Sequence, residues 1–195
     1  MHWIEMEGVK LPKRLGGHAA LDFCNTWAGW GEKSDADDDK REWLRDYDVL
    51  ATWSRYADLV DDAQLAGLRE QAARQPQKAA EVLVRARRLR TLVHDAVTDP
   101  TDPAVLSTLG VEIRRAGAVV ELVPGPAGRV RWSLTGRAGL DLPVLAVAWS
   151  AAGLLTSAEV TKVGACPGVD CGWLFLDTRG GAAGATWQRA ATGRR

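Results

Sequence analysis

Apolar residues recur at helical spacing along most of the chain. From Ala20, the positions Ala20, Phe23, Cys24 and Trp27 share one helical face. Asp46 to Tyr56 reads as a helix with Leu50, Trp53 and Ala57 on one side. Asp61 or Asp62 caps the next helix, which runs to about Arg74, because a short acidic side chain accepts from the first free N–H groups. Pro76 ends that helix and opens a longer one to about Thr98. Its core stripe is Val82, Ala86, Leu89, Val93 and Ala96. Arg87, Arg90 and His94 fall on the far face and read as solvated. Asp102-Pro103 starts another helix that ends near Gly117.

The period then changes. Ala118–Val123 and Arg129–Leu134 alternate and are rich in β-formers, with Pro124-Gly125-Pro126-Ala127-Gly128 between them, so they predict a hairpin. Asp141 with Pro143 marks a helix start, and the helix through Ser157 is apolar all round and carries Trp149. Such a helix belongs at the centre of a bundle. Its longest apolar run, Leu142 to Leu155, is shorter than the roughly 20 residues of a membrane span, so no membrane partner is expected. Residues 1–15 read as an extended arm tucked down by Trp3 and Ile4. The expected fold is mainly α, with a helical domain at 1–160, a small β-hairpin inside it and a separate C-terminal segment at 161–195.

Composition narrows the function classes. The chain has 195 residues, enough for one sizeable core and a small appendage. Lys plus Arg is 25 and Asp plus Glu is 25, so the basic excess of a dedicated nucleic-acid binder is missing. Three cysteines are too few for a disulfide scaffold and suit a reducing compartment. The first 15 residues lack the apolar run of a signal peptide, and the expected location is the cytoplasm. Gly29 to Lys40 carries Asp35, Asp37, Asp38 and Asp39 without the glycine and distal Glu of a calcium loop, and reads as a solvated acidic loop.

Two groups of residues bear chemistry. Asp22, Asn25 and Thr26 stand at i, i+3 and i+4 on an apolar helix, with His18 just before it. They either cap the Gly16-Gly17 break by satisfying loop N–H groups, or they contact a ligand. Arg85 sits at the edge of the apolar stripe of its helix, where a guanidinium either snorkels to solvent or pairs with an acid or an anionic ligand. Nine tryptophans either fill the core or wall a pocket; Trp27 and Trp149 are the candidate walls. The ligand-binding candidates are thus His18, Asp22, Asn25, Trp27, Arg85 and Trp149. No nucleophile–base set, P-loop or dinucleotide fingerprint is present, and Cys24 on an apolar face reads as packing.

The second group is Cys166-Pro167-Gly168-Val169-Asp170-Cys171, followed by Gly172-Trp173-Leu174-Phe175-Leu176-Asp177. Two thiols separated by a Pro-Gly turn can reach one tetrahedral ion, but a closed zinc site needs two more ligands. The segment 180–195 holds no Cys, His, Asp or Glu. The metal candidates Cys166 and Cys171 therefore form an incomplete site, expected to be empty. Three readings stay open: zinc held with ligands borrowed from His18 or Asp177; half-sites paired in a homodimer or closed as a disulfide; or reduced thiols in a turn packed through Trp173 and Phe175.

This stretch resembles the first knuckle of the CGNR zinc finger. Trp187 falls where the second knuckle has its Trp, Gln188 stands at the third ligand, and Gly193-Arg194-Arg195 is similar to the end of that motif with its ligand missing. Upstream, Gly16-Gly17-His18-Ala19-Ala20-Leu21-Asp22-Phe23-Cys24-Asn25-Thr26 resembles the opening of the ABATE domain, and 44–59 and 142–157 resemble its middle. The resemblance covers nearly the whole chain. It implies a stress-induced transcriptional regulator with a degenerate finger, hence a regulator-like protein that binds a small molecule and has lost its zinc and DNA functions. The alternative is an enzyme of specialised metabolism recruited from this fold, using a pocket around Asp22, Asn25 and tryptophans.

Overall fold

The computed structural model describes residues 3–30, 41–168 and 171–177. His2, the four aspartates of the acidic loop, and Trp187, Gln188 and the rest of 180–195 lie outside the described residues. The chain opens with a hairpin, β1 (Trp3–Met6) and β2 (Val9–Pro12), paired Trp3 to Pro12 through Met6 to Val9. The expectation of an unpaired arm is corrected here. Glu7 and Gly8 both have positive φ, 51° and 78°, the backbone of a two-residue turn that matches strand twist. Leu11 is thereby buried.

Six α-helices follow among the described residues: α1 (Ala19–Cys24), α2 (Tyr47–Tyr56), α3 (Asp62–Arg74), α4 (Pro76–Thr98), α5 (Pro103–Gly117) and α6 (Leu142–Leu155). The first, α1, stops short of Trp27: the Thr26 and Trp27 N–H groups bond three residues back, to Phe23 O and Cys24 O, and the Thr26 hydroxyl also donates to Phe23 O at 2.6 Å. The starts of the next helices obey local chemistry. Asp46 accepts from Val49 N–H, and Asp61 with Gln64 closes a capping box. Pro76 and Pro103 occupy first turns. Between α5 and α6 lies the expected hairpin, β3 (Val120–Pro124) with β4 (Val130–Leu134).

Helix α6 lies at the centre, packed by α1, α4 and α5. With the 3-10 turn before it, Gly136–Leu155 is long and apolar enough to cross a membrane, yet its apolar surface is spent on the bundle. The core stripe of α4 is buried as its spacing predicts. Its far face is not solvated as expected. Arg90 is only 5% exposed, and Trp30 stacks on His94 with ring centroids 3.8 Å apart. The cause is tertiary: the chain beyond α1 crosses that face, with Trp27 bridged to Glu42. Arg90 donates to both Glu42 oxygens, at 2.7 and 2.6 Å, and to Thr26. Last comes a short hairpin, β5 (Val163–Ala165) and β6 (Leu174–Leu176), with the two late cysteines in its connection.

Candidate functional site

Gly16 places the polar group of α1. A Cβ at Gly16 would lie 2.8 Å from the Leu21 Cβ and 3.0 Å from Asp22 N, so only glycine lets the loop touch the helix start. In this position the Gly16 N–H donates to Asp22 Oδ1 at 2.7 Å. Arg14 Nε donates to the other oxygen at 3.5 Å. Asp22 is 3% exposed, and burial pushes its carboxyl above the ordinary range, partly offset by the Gly16 N–H and Arg14. His18 is the N-cap of α1, its Nδ1 accepting from Ala20 N–H at 3.2 Å. Burial pushes its imidazole below the usual value.

Asn25 has a different partner. Its Nδ2 donates to Leu174 O at 2.9 Å, and its Oδ1 accepts from Leu174 N–H at 2.8 Å. The geometry follows from strand alternation. Trp173 O accepts from Cys166 N–H, so it points to β5, and the polar groups of Leu174 point the other way. The Asn25 amide thus stands in for a neighbouring strand on the free edge of β6. Leu176 N–H, the next outward donor, is taken by Gly16 O at 2.9 Å. The Trp173 indole N–H donates to Trp27 O at 3.0 Å, and Trp30 N–H donates to Cys171 O at 3.2 Å. One polar cluster therefore seams the late hairpin to the α1 region.

A cavity of about 450 Å³ lies at this seam. Leu15, Ala28, Trp173 and Phe175 line it, together with the thiols of Cys166 and Cys171. Asn25 forms part of its wall. Both thiols are free and half-buried. Burial pushes the Cys171 thiol up, a hydrogen bond from the Trp173 backbone partly offsets this, and contact with Cys166 adds to the rise. Among the described residues, no three His, Cys, Asp or Glu side chains gather as a metal site requires, so neither His18 nor Asp177 completes a set with the thiols. The residues described do not fit a closed zinc site.

The six ligand candidates are not brought into one pocket. Asn25 walls the seam cavity. Trp27 lines another cavity, of about 400 Å³, beside α4. Trp149 lines a third, of about 430 Å³, where it meets Trp132 edge to face at 5.8 Å. Arg85 is taken by Glu112 and by Asp141, each at 2.8 Å, and bolts α4 to α5 and to the start of α6. Asp22 and His18 line none of the three. The sequence marked the thiols only as metal candidates and gave no signal for Leu15 or Ala28, because the seam that makes them cavity walls joins distant parts of the chain.

A family model named ABATE, described as "Putative stress-induced transcription regulator", matches residues 17–158. The chain belongs to the ABATE family. No curated protein matches the sequence. The ABATE match opens at Gly17, within the loop that Asp22 caps, and ends before Val163. The cysteine hairpin therefore lies outside the matched stretch, although Asn25 of the ABATE part holds it in place.

Proposed function

We propose that this is a cytoplasmic, regulator-like protein that takes a small apolar molecule at the seam between α1 and the β5–β6 hairpin. In this reading the hairpin is a docked part of the body, held without zinc, and sequence-specific DNA binding has been lost. The observation that carries it is the double hydrogen bond of Asn25 to Leu174 beside an apolar cavity of about 450 Å³. That volume falls in the range of small-molecule sites, roughly 300–1,000 Å³. The Asn25 amide spends both of its polar ends on backbone, so the wall it presents asks for shape and apolar surface rather than charge. An enzyme using Asp22 for proton transfer would first have to break the contacts to Gly16 and Arg14.

The neutral fluorophore 1-aminoanthracene tests the site. It should bind saturably to the full chain with enhanced emission. Ala28→Phe, which fills the cavity, should abolish binding without lowering the melting temperature by more than a few degrees. Absence of saturable binding, or binding indifferent to Ala28→Phe, would refute the reading.

A further inference from the structure

The cavity beside α4 has a chemistry unlike that of the seam. Trp27 and Trp30 supply aromatic surface, Val84 an exposed apolar edge, and Arg87, Arg88 and Arg90 the positive charge. Trp30 is held rigidly: its ring lies on His94 at 9° between planes, and its indole N–H donates to Cys24 O at 3.0 Å. His94 is not part of the cavity wall, so the surface Trp30 offers there is not the one that His94 covers. Burial keeps the His94 imidazole below its usual pKa, so the stack adds no charge near neutral pH.

The three guanidiniums are unequally engaged. Glu42 is the one carboxylate paired with them among the described residues, at 2.6 Å from Arg90 and 3.4 Å from Arg87. Arg88 is exposed and makes no ion pair there. Arg90 Nε is buried with no hydrogen-bond partner among the described residues, although both amino nitrogens of that guanidinium are hydrogen-bonded. Among the described residues, a flat apolar wall thus stands next to three guanidiniums and a single paired carboxylate, which selects for a ligand with the opposite pairing. We infer that this cavity is a binding site for a planar aromatic anion, such as an aryl carboxylate, with its ring against the tryptophans and its charge toward Arg88. It is a second site, independent of the one at the seam.

The test uses 2-naphthoate and its neutral counterpart 2-naphthylmethanol, titrated calorimetrically into the full chain. The carboxylate should bind with one-to-one stoichiometry, roughly tenfold tighter than the alcohol at low salt, with the difference shrinking as salt is added. Arg88→Ala should weaken 2-naphthoate by about fivefold, the scale of an exposed charge pair. Val84→Trp, at a position 47% exposed, should block the site without touching the core. Ala28→Phe at the seam should leave this binding unchanged, which separates failure of one site from failure of the other. Equal affinity for the two probes, no saturable heat at millimolar 2-naphthoate, or unchanged affinity in either α4 variant overturns the inference.

Discussion

Asn25→Ala removes both bonds that the edge of β6 makes to α1. Leu174 is 1% exposed and Asn25 likewise, so the change strands a backbone N–H and a backbone C=O in a nearly dry place. Each unsatisfied group costs roughly 1–3 kcal/mol, which gives about 2–6 kcal/mol for the pair. Water entering from the seam cavity would satisfy part of the loss and sets the lower end. The hairpin can also escape the cost by opening, so the loss should appear first as local detachment rather than global unfolding. Amide hydrogen exchange across 163–177, read beside a urea melt, resolves the two. Exchange there should speed up at least tenfold while the core stripe of α4 stays protected. Asn25→Asp is the internal control. Its carboxylate would still accept from Leu174 N–H but would face Leu174 O with no proton to donate. It should be as damaging as Asn25→Ala at neutral pH and recover as acid protonates it. Unchanged exchange in 163–177, with global stability within about 0.5 kcal/mol of wild type, would refute the role given to this amide.

The other outcomes are as definite. Asp22→Ala leaves the Gly16 N–H buried and should cost about 1–3 kcal/mol, whereas Asp22→Asn keeps an acceptor for Gly16 and Arg14 keeps Asp58 at 2.7 Å, so it should cost less; equal melting temperatures for the two variants would contradict this. His18 and His94 both have imidazoles depressed below 6.5 by burial, so the unfolded chain takes up protons first as pH falls. Stability should be fully present above 6.5 and decline below it, and His94→Phe, which keeps a ring under Trp30, should flatten that decline in denaturant melts across pH 5–7. Fluorescence anisotropy at near-physiological salt should show no sequence-selective duplex binding, since the charge balance is neutral; nanomolar selective binding would restore a DNA role.

Much of the helical frame is legible from local chemistry. Asp46, Asp61 and Asp102 accept the first N–H groups of their helices, Pro76 opens α4, and the all-round apolar surface of α6 puts it at the centre. What periodicity cannot show is which non-helical segment covers a polar face. Arg90 and His94 point away from the apolar stripe of α4, and only the later crossing of Trp27, Trp30 and Glu42 buries them. The polar trio of α1 is visible as an anomaly on an apolar helix. Half of its meaning is local, since Asp22 caps a loop six residues away. The other half lies 149 residues away in the chain, where no spacing rule pairs Asn25 with Leu174. Trp27 and Trp149 look alike as candidate walls, yet the fold assigns them to different cavities.

The central claim is that the Asn25 amide and backbone groups around α1, met by the indole of Trp173 from the hairpin itself, hold the cysteine hairpin rather than a metal. Hydrogen exchange across 163–177 in tag-free protein, compared after dialysis against chelator and after zinc saturation, tests it most directly. The account predicts the same protection in both samples and no stoichiometric zinc by elemental analysis. Protection that collapses in chelator and returns with one zinc per chain would contradict it.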